Sequence, residues 1–340
     1  MHIWKNMACA GSVALGFAMS STAGFAQAEF YQGKTVSLYV GYSAGGGYDV
    51  YARMVARYMG KHIPGNPTVV VQNMPGAGSL RAANWIFNVA PKDGTVFGTV
   101  ARGAAFDPLL GLPGAQFDAT KFNWLGSAND EVSVCVTWNP TKVKTFEDLM
   151  TTELVVGGTG GSADTDQFPK VINGVLGTKM KVIAGYPGGN DINLAMERGE
   201  VQGRCGWSWS SVKSTQPDWL KDKKINVILQ LSMEKHEDLP DVPVILDKAT
   251  TDEQKAILKL IFARQVMGRP FMAPPGVPAD RVATLRKAFM DTMKDPAFVA
   301  EAEKAKLEIT PVSGEKIQQL VADSYKVAPE IAQKAGSLLK

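Results

Sequence analysis

The chain contains TVSLYV at 35–40, followed by GYSAGGG at 41–47 and YDVYARMVARYM at 48–59. The first segment is short and rich in β-branched and aromatic residues, which is typical of a strand. The glycine-rich segment predicts a tight loop. In the third segment Val50, Met54, Val55 and Met59 recur at helical spacing, which predicts an amphipathic helix. The three segments together predict a strand, a glycine loop and a helix.

The same unit occurs three more times along the chain. Strands are predicted at 68–72, 154–156 and 181–184, glycine loops at 73–78, 157–163 and 185–189, and helices at 79–86, 164–176 and 190–198. Alternating strands and helices are typical of α/β domains with largely parallel sheets. Because the four units fall into two separated pairs, we expect two α/β lobes.

The remaining segments complete this outline. Further strands are predicted at 96–100, 132–136 and 227–231, a helix opened by Thr145, and tail helices at 251–262, 279–294 and 314–325. The pair Asp295-Pro296 predicts a break between tail helices. The segment 268–278 contains four prolines, which indicates an ordered connection. We therefore expect a helical cover, formed by the end of the chain, over the two lobes.

The first 28 residues have the pattern of a secretory signal peptide. His2 and Lys5 give a basic start, an apolar and small-residue stretch follows at 7–19, and Ala26-Gln27-Ala28 supplies a cleavage pattern. The apolar stretch is too short to span a bilayer, and no later segment is long and apolar enough either. We therefore expect an exported chain in the periplasm. The net charge of +3 disfavours a nucleic-acid-binding function.

Two cysteines remain after the predicted cleavage, Cys135 and Cys205. Both lie in apolar, strand-like segments, in a compartment where disulfides persist. The spacing leaves two possibilities open, a disulfide between them or two buried thiols.

The sequence contains no zinc-binding or dinucleotide-binding motif, so no cofactor and no metal are expected. Asp164 and Asp166 could bind a hard cation in principle. Their position at the start of a predicted helix is more simply explained by interaction with the helix dipole.

The segment GYSAG at 41–45 matches the G-x-S-x-G motif of serine hydrolases, with Ser43 as the nucleophile. Such a serine needs a histidine base, and only His62 and His236 remain after the predicted cleavage. His62 directly follows its own helix, and His236 lies in a polar run. Ser43 also follows the first strand, whereas the motif normally follows several strands. A secreted hydrolase is therefore a minor alternative.

The glycine loops themselves are the strongest functional signal. A loop that opens a helix exposes backbone N–H groups at the positive end of the helix dipole, which suits an anion. The four loops contain no basic side chain, so the sequence predicts anion capture by backbone groups. Loops at the carboxyl ends of the strands would converge on a cleft between the lobes.

Several of these loops carry motifs of a known family. They are GGGYD at 45–49 with Ala52-Arg53, NMPGAG at 73–78, PKDG at 91–94, LPDVP at 239–243 and APPGVP at 273–278. With these motifs the chain resembles the extracytoplasmic solute receptors of the tripartite tricarboxylate transporter family, the Bug-type periplasmic binding proteins. The order and spacing of the motifs match over essentially the whole chain after residue 28.

The resemblance implies an α/β type II periplasmic-binding fold that closes on its ligand like a hinged clamp. Lobe 1 would comprise 29–128 and 238–340, and lobe 2 would comprise 129–237. The implied function is capture of a small carboxylate, a di- or tricarboxylate or an aromatic acid, by a monomeric binding protein that is not an enzyme. The implied partners are the membrane permease subunits of the transporter. A sensing role beside a two-component system is the main alternative.

The resemblance also implies most of the expected ligand-binding residues. Arg102 and Trp207 are included because their side chains could contact a carboxylate or a ring. Arg102 is either a charge-assisted ligand contact or a surface arginine, and Trp207 or Trp209 could face the cleft. Asp49 is expected to brace its own loop. The chain departs from the family pattern at Pro187, Asp164 and Ala195 and in the segment GRCGWSWS at 203–210. The expected ligand-binding residues are Ser43, Ala44, Gly45, Gly46, Gly47, Tyr48, Gly76, Ala77, Gly78, Ser79, Arg102, Thr159, Gly160, Gly161, Ser162, Ala163, Tyr186, Pro187, Gly188 and Trp207.

Overall fold

The computed structural model describes residues 28–340, so the predicted signal peptide lies outside the described residues except for Ala28. Eleven strands of the described chain form two sheets. The first sheet has the order β11-β4-β10-β3-β1-β2 and the second the order β7-β6-β8-β5-β9. The strands are β1 Thr35–Val40, β2 Thr68–Asn73, β3 Val96–Thr99, β4 Asn123–Ser127, β5 Ser133–Trp138, β6 Leu154–Gly157, β7 Met180–Ile183, β8 Gly203–Ser208, β9 Ile225–Leu231, β10 Pro270–Ala273 and β11 Val312–Ser313.

Helices cover both sheets, and in the described residues none is long and apolar enough to cross a membrane. They are α1 Gly47–Met59, α2 Leu80–Asn88, α3 Asp164–Leu176, α4 Gly189–Glu197, α5 Trp209–Thr215, α6 Pro217–Lys221, α7 Asp252–Phe262, α8 Ala279–Lys294, α9 Pro296–Lys304, α10 Gly314–Ser324 and α11 Pro329–Ser337. The four predicted strand–loop–helix units are all present. They are β1 with α1, β2 with α2, β6 with α3 and β7 with α4.

The chain passes between the two sheets through two neighbouring segments. It leaves the first sheet after β4 and returns to it at β10. The two connecting segments pair with each other, because Ala128 N–H donates to Arg269 O at 3.0 Å and Gly268 N–H donates to Asn129 O at 2.9 Å. Below, lobe 1 means the body around the first sheet and lobe 2 the body around the second.

The sheets are mixed rather than largely parallel. β1 pairs in parallel with β2 and β3, and β6 pairs in parallel with β7 and β8. β10 runs antiparallel between β3 and β4, and β5 runs antiparallel between β8 and β9. Parallel pairing follows from the helical crossovers, whereas β5 and β10 each begin directly after a segment that connects the lobes.

The proline-rich segment 268–278 is partly a strand, which the sequence did not indicate. Pro270 is the first residue of β10, a position where a missing N–H is tolerated in a sheet. The short strand β4 was also not predicted. The helix expected after Thr145 is a single 3₁₀ turn at Glu147–Met150, with Asp148 N–H donating to the Thr145 hydroxyl at 3.3 Å.

Apolar side chains of the predicted strands and helices form the cores of the lobes. In lobe 1, Val36, Leu38 and Val40 of β1 pack with Met54 and Val55 of α1, and all five are buried. In lobe 2, β5 and β8 place Cys135 and Cys205 opposite each other, and the structure joins them by a disulfide.

Candidate ligand-binding site

A small cavity of about 50 Å³ lies between the lobes, at the carboxyl ends of the parallel strands. Lobe 1 and the segment leading into β10 contribute Tyr42, Gly46, Gly47, Tyr48, Ala101, Arg102 and Arg269 to its wall. Lobe 2 contributes Thr159, Ala163, Asp164, Thr165, Gly189, Arg204, Gly206, Trp207, Ser208 and Ser211.

Three helices begin at this cavity. Gly47 opens α1, Asp164 opens α3 and Gly189 opens α4, and all three residues line the wall. The first N–H groups of a helix have no partner within it, and the helix dipole adds partial positive charge there. Seven of the residues expected from the sequence lie at this wall, namely Gly46, Gly47, Tyr48, Arg102, Thr159, Ala163 and Trp207.

Five other expected residues line a second, more open groove outside the cavity. This groove contains Gly76, Ala77, Gly160, Tyr186 and Pro187, and Thr159 lies on both surfaces. The cavity and the groove are divided by the loops themselves. Gly78 N–H donates to Thr159 O at 2.9 Å, so a loop of lobe 1 binds directly to a loop of lobe 2.

This loop contact depends on the absence of side chains. Gly78 and Gly160 have φ values of 67° and 127°. A Cβ on Gly78 would lie 2.6 Å from Ala163 N, and one on Gly160 would lie 2.5 Å from Gly78 N. The two glycines therefore allow the backbones of the two lobes to meet.

Ser43 forms another contact between the lobes. Its hydroxyl donates to Asp191 Oδ2 at 2.7 Å, and its N–H donates to Pro187 O at 3.2 Å. Gly188 packs against Ser43, while Ala44, Gly45 and Gly161 are exposed. The Ser43 hydroxyl is therefore bonded to a carboxylate of lobe 2.

The two histidines of the described chain are paired elsewhere. His62 Nε2 lies 2.8 Å from Asp295 Oδ2. His236, which the sequence suggested to be a solvated residue, lies in a groove between the lobes, where Asp238 N–H donates to its Nδ1 at 3.0 Å. Neither contact is that of a base for Ser43.

Three expected site residues support the wall from behind. Ser79 accepts a hydrogen bond from Ala101 N–H at 2.7 Å, and Ser162 donates to the buried carboxylate of Asp107. Asp49 accepts from Gly45 N–H at 2.9 Å and from Asn73 Nδ2 at 2.8 Å. These hydrogen bonds, together with that from Arg53, hold the pKa of Asp49 below its ordinary value, although burial opposes them. Asp49 therefore braces its own loop as a carboxylate.

Arginine side chains from outside the glycine loops reach the cavity; Arg102 was expected there, whereas Arg204 and Arg269 were not. Arg102 is buried and its Nε lies 2.8 Å from Asp164 Oδ2, so it is not a surface arginine. Arg269 is buried as well, with Nη2 3.5 Å from Glu131 Oε2. Both arginines donate to the Ser208 hydroxyl, at 2.5 and 2.8 Å.

Asp164 does more than complement the dipole of α3. It is buried at the cavity wall and lies near two arginines, Arg102 at 2.8 Å and Arg264 at 3.6 Å. Asp166 lies in the first turn of α3, and its Oδ2 accepts from Gly160 N–H of the preceding loop at 2.8 Å. The pairing of Asp164 with Arg102 joins residues of different lobes, which no local pattern could reveal.

Arg204 is the third arginine of the wall, and it lies on Trp207. Its guanidinium carbon is 4.6 Å from the centre of the Trp207 ring. Nη1 donates to Gly189 O at 3.2 Å and to Asn193 Oδ1 at 3.1 Å. Burial lowers the pKa of Arg204, and the charge of Arg269 lowers it further. The sequence signal for Arg204 was a charged residue inside a strand-like run, in a segment that departs from the family pattern.

Comparisons with known proteins agree with this architecture. The receptor family of the tripartite tricarboxylate transporters, described as "Tripartite tricarboxylate transporter family receptor", matches residues 51–337. A UPF0065 protein from the TAR-I ttuE-ttuC' intergenic region of Agrobacterium vitis is 26% identical over 282 residues, 79% of this chain and 74% of the relative.

Solved structures show the same fold. The periplasmic binding protein BugD has a TM-score of 0.72 at 20% identity, with 90% of this chain and 99% of BugD covered. MatC from Rhodopseudomonas palustris, solved with bound malate, has a TM-score of 0.71 at 17% identity, with 88% and 99% covered. The two-lobed α/β periplasmic-binding fold predicted from the sequence is thereby confirmed. Because the family match covers most of the chain, this protein belongs to the receptor family of the tripartite tricarboxylate transporters.

Proposed function

We propose that this protein is a periplasmic receptor that captures a small carboxylate in the cavity between its lobes. The observation that carries the proposal is the positive charge of the wall. Arg102, Arg204 and Arg269 line the cavity with one carboxylate, Asp164, and three helices begin there. Arg102 and Arg269 are paired with Asp164 and Glu131, so Arg204 and the three helix starts supply the positive charge that favours a small anion.

The polar groups of the wall also suit an oxygen-rich ligand. The Ser208 oxygen accepts hydrogen bonds from two arginines, which leaves its own proton for a further acceptor. The N–H groups at the three helix starts are donors as well. A carboxylate offers several acceptor positions on two oxygens, and malate in MatC is an example of such a ligand.

The contacts between the lobes favour binding over catalysis. Ser43 is bonded to Asp191, and both described histidines have other partners. We propose that the protein releases its ligand unchanged to the membrane permease subunits of a tripartite transporter. The signal-peptide pattern at 1–28 supports export to the periplasm, and a monomer is the simplest form that can deliver a ligand in this way.

A ligand screen with matched pairs tests the proposal. The melting temperature of the protein without residues 1–28 is measured in the presence of succinate, malate, adipate or benzoate, and of the corresponding neutral amides. We expect at least one acid to raise the melting temperature, because a ligand at 100 times its Kd stabilises by about 2.7 kcal/mol. The amides should have little effect. If neutral sugars or amines raise the melting temperature and no carboxylate does, the proposal is wrong.

The role in transport is tested in the source bacterium. Deletion of the gene should abolish uptake of the radiolabelled acid found in the screen, and the Ser43→Ala variant should restore that uptake at a saturating concentration of the acid. Normal uptake in the deletion strain, with loss of a transcriptional response to the acid, would favour a sensing role instead.

A further inference from the structure

The arginines of the cavity differ in how their charge is balanced. Arg102 pairs with Asp164, and Arg269 pairs with Glu131. Arg204 has no carboxylate partner among the described residues, although it is largely buried. A buried guanidinium without a counter-charge is costly, because desolvation disfavours the charged form.

The surroundings of Arg204 add to this cost. The residue lies against Gly189, the first residue of α4, where the helix dipole contributes partial positive charge. Arg269 lies nearby, with its own charge paired with Glu131. A Cβ on Gly189 would clash with the Arg204 guanidinium, so glycine at this position makes the arrangement possible. The described residues thus give Arg204 neutral partners, the Gly189 carbonyl, the Asn193 amide oxygen and the Trp207 ring, but no negative charge.

One edge of the Arg204 guanidinium remains free. Both hydrogen bonds of the group leave from Nη1, and its buried Nε has no partner among the described residues. The Trp207 ring centre lies 4.6 Å from the guanidinium carbon of Arg204. The edge formed by Nε and Nη2 carries two parallel N–H groups, the geometry that binds a carboxylate in a bidentate manner.

We propose that Arg204 is the residue that selects for a carboxylate, by forming a bidentate ion pair with the ligand through Nε and Nη2. The inference rests on the proposed function and deepens it. No carboxylate of the described residues pairs with Arg204, so the ligand carboxylate would supply its counter-charge. The guanidinium is therefore electrostatically unfavourable in the empty site and neutralised in the filled site. Arg102 and Arg269 are already neutralised, and they position Ser208 and Ser211 for the rest of the ligand.

The test compares Arg204→Gln and Arg204→Lys with the wild-type protein, using the acid found in the screen and its amide. Arg198→Gln is the matched control, because Arg198 is an exposed arginine of the same lobe. We expect Arg204→Gln to bind the acid at least 100-fold more weakly, and the preference for the acid over the amide to disappear. Arg204→Lys should keep part of the affinity, because it retains the positive charge but lacks the two parallel N–H donors. Arg198→Gln should bind like the wild type.

The melting temperatures of the ligand-free proteins show whether Arg204 selects the ligand or stabilises the fold. Removal of an uncompensated cation should leave the melting temperature of Arg204→Gln unchanged or higher. A lower melting temperature, with the same fractional loss of acid and amide binding, would mean that Arg204 is structural and would overturn the proposal. Undiminished acid binding by Arg204→Gln would overturn it as well, without touching the proposed function. If no carboxylate binds to the wild type, the proposed function itself fails.

Discussion

Arg102 and Asp164 form a buried ion pair across the cleft, with 2.8 Å between Nε and Oδ2. Arg102 follows β3 in lobe 1, and Asp164 opens α3 in lobe 2. The pair lines the cavity, so the same two residues link the lobes and shape the site. We therefore expect that loss of either charge changes both the contact between the lobes and the proposed site.

Replacement of Asp164 by Asn should destabilise the protein by about 3–5 kcal/mol, because it leaves Arg102 buried without its counter-charge. The free energy of unfolding in urea measures the loss. The double variant with Arg102→Met should be more stable than the two single losses predict, since the unpaired charge is then absent. Asp252→Asn, at the exposed start of α7, is the control and should change little. Strictly additive losses in the double variant would contradict a direct pairing.

Replacement of Gly160 by Ala should weaken ligand binding by about 10–100-fold, because the new Cβ would meet the backbone of Gly78 and hold the lobes apart. Titration calorimetry measures the affinity, and small-angle scattering should show a larger radius of gyration with ligand present. Gly161→Ala is a close control. Its Cβ would have no neighbour within 4 Å, so it should bind like the wild type. Equal affinities for the two variants would show that the loop contact does not govern closure.

Replacement of Ser43 by Ala removes the hydrogen bond to Asp191 that links the lobes. We expect a loss of affinity of about 3–10-fold, because a typical hydrogen bond contributes about 0.5–1.5 kcal/mol net to the form that it stabilises. An ester such as p-nitrophenyl acetate should not be turned over above background by the wild type or by the variant. Ester cleavage that Ser43→Ala abolishes would instead support the hydrolase alternative.

The sequence predicted much of the fold because most of it is locally encoded. The β1–α1 unit and helix α3 depend on side-chain periodicity and glycine loops within about 25 residues. β10 was missed because its pairing with β3 and β4 depends on residues far apart in the chain, and its prolines suggested a connection. Local patterns do not record such long-range pairing.

The candidate site was also predicted only where it depends on local sequence. Glycine motifs located the loops, and Gly46, Gly47, Tyr48 and Thr159 line the cavity. The same motifs did not indicate that Gly78 and Gly160 meet each other rather than the cavity. Nor did they reveal the charges, because Arg204 and Arg269 come from a strand and from a segment next to a strand. An arginine in an otherwise apolar run was the available signal, and only burial in the fold explains it.

Asp107 should make stability depend on pH. Burial raises the pKa of this carboxyl to about 7, against the opposing effect of hydrogen bonds from Ser162 and Gln167 of lobe 2. The folded protein therefore keeps a proton that the unfolded chain releases near pH 4. The stability linked to this proton is complete below pH 4 and is lost as the pH rises to about 7.

Asn cannot titrate and can make similar hydrogen bonds, so Asp107→Asn should gain about 2 kcal/mol relative to the wild type between pH 5 and pH 8. Urea unfolding at both pH values measures this gain, and Asp323→Asn, an exposed carboxylate with a lowered pKa, should show none. A constant difference between Asp107→Asn and the wild type would mean that Asp107 is already ionised in the folded protein at pH 5.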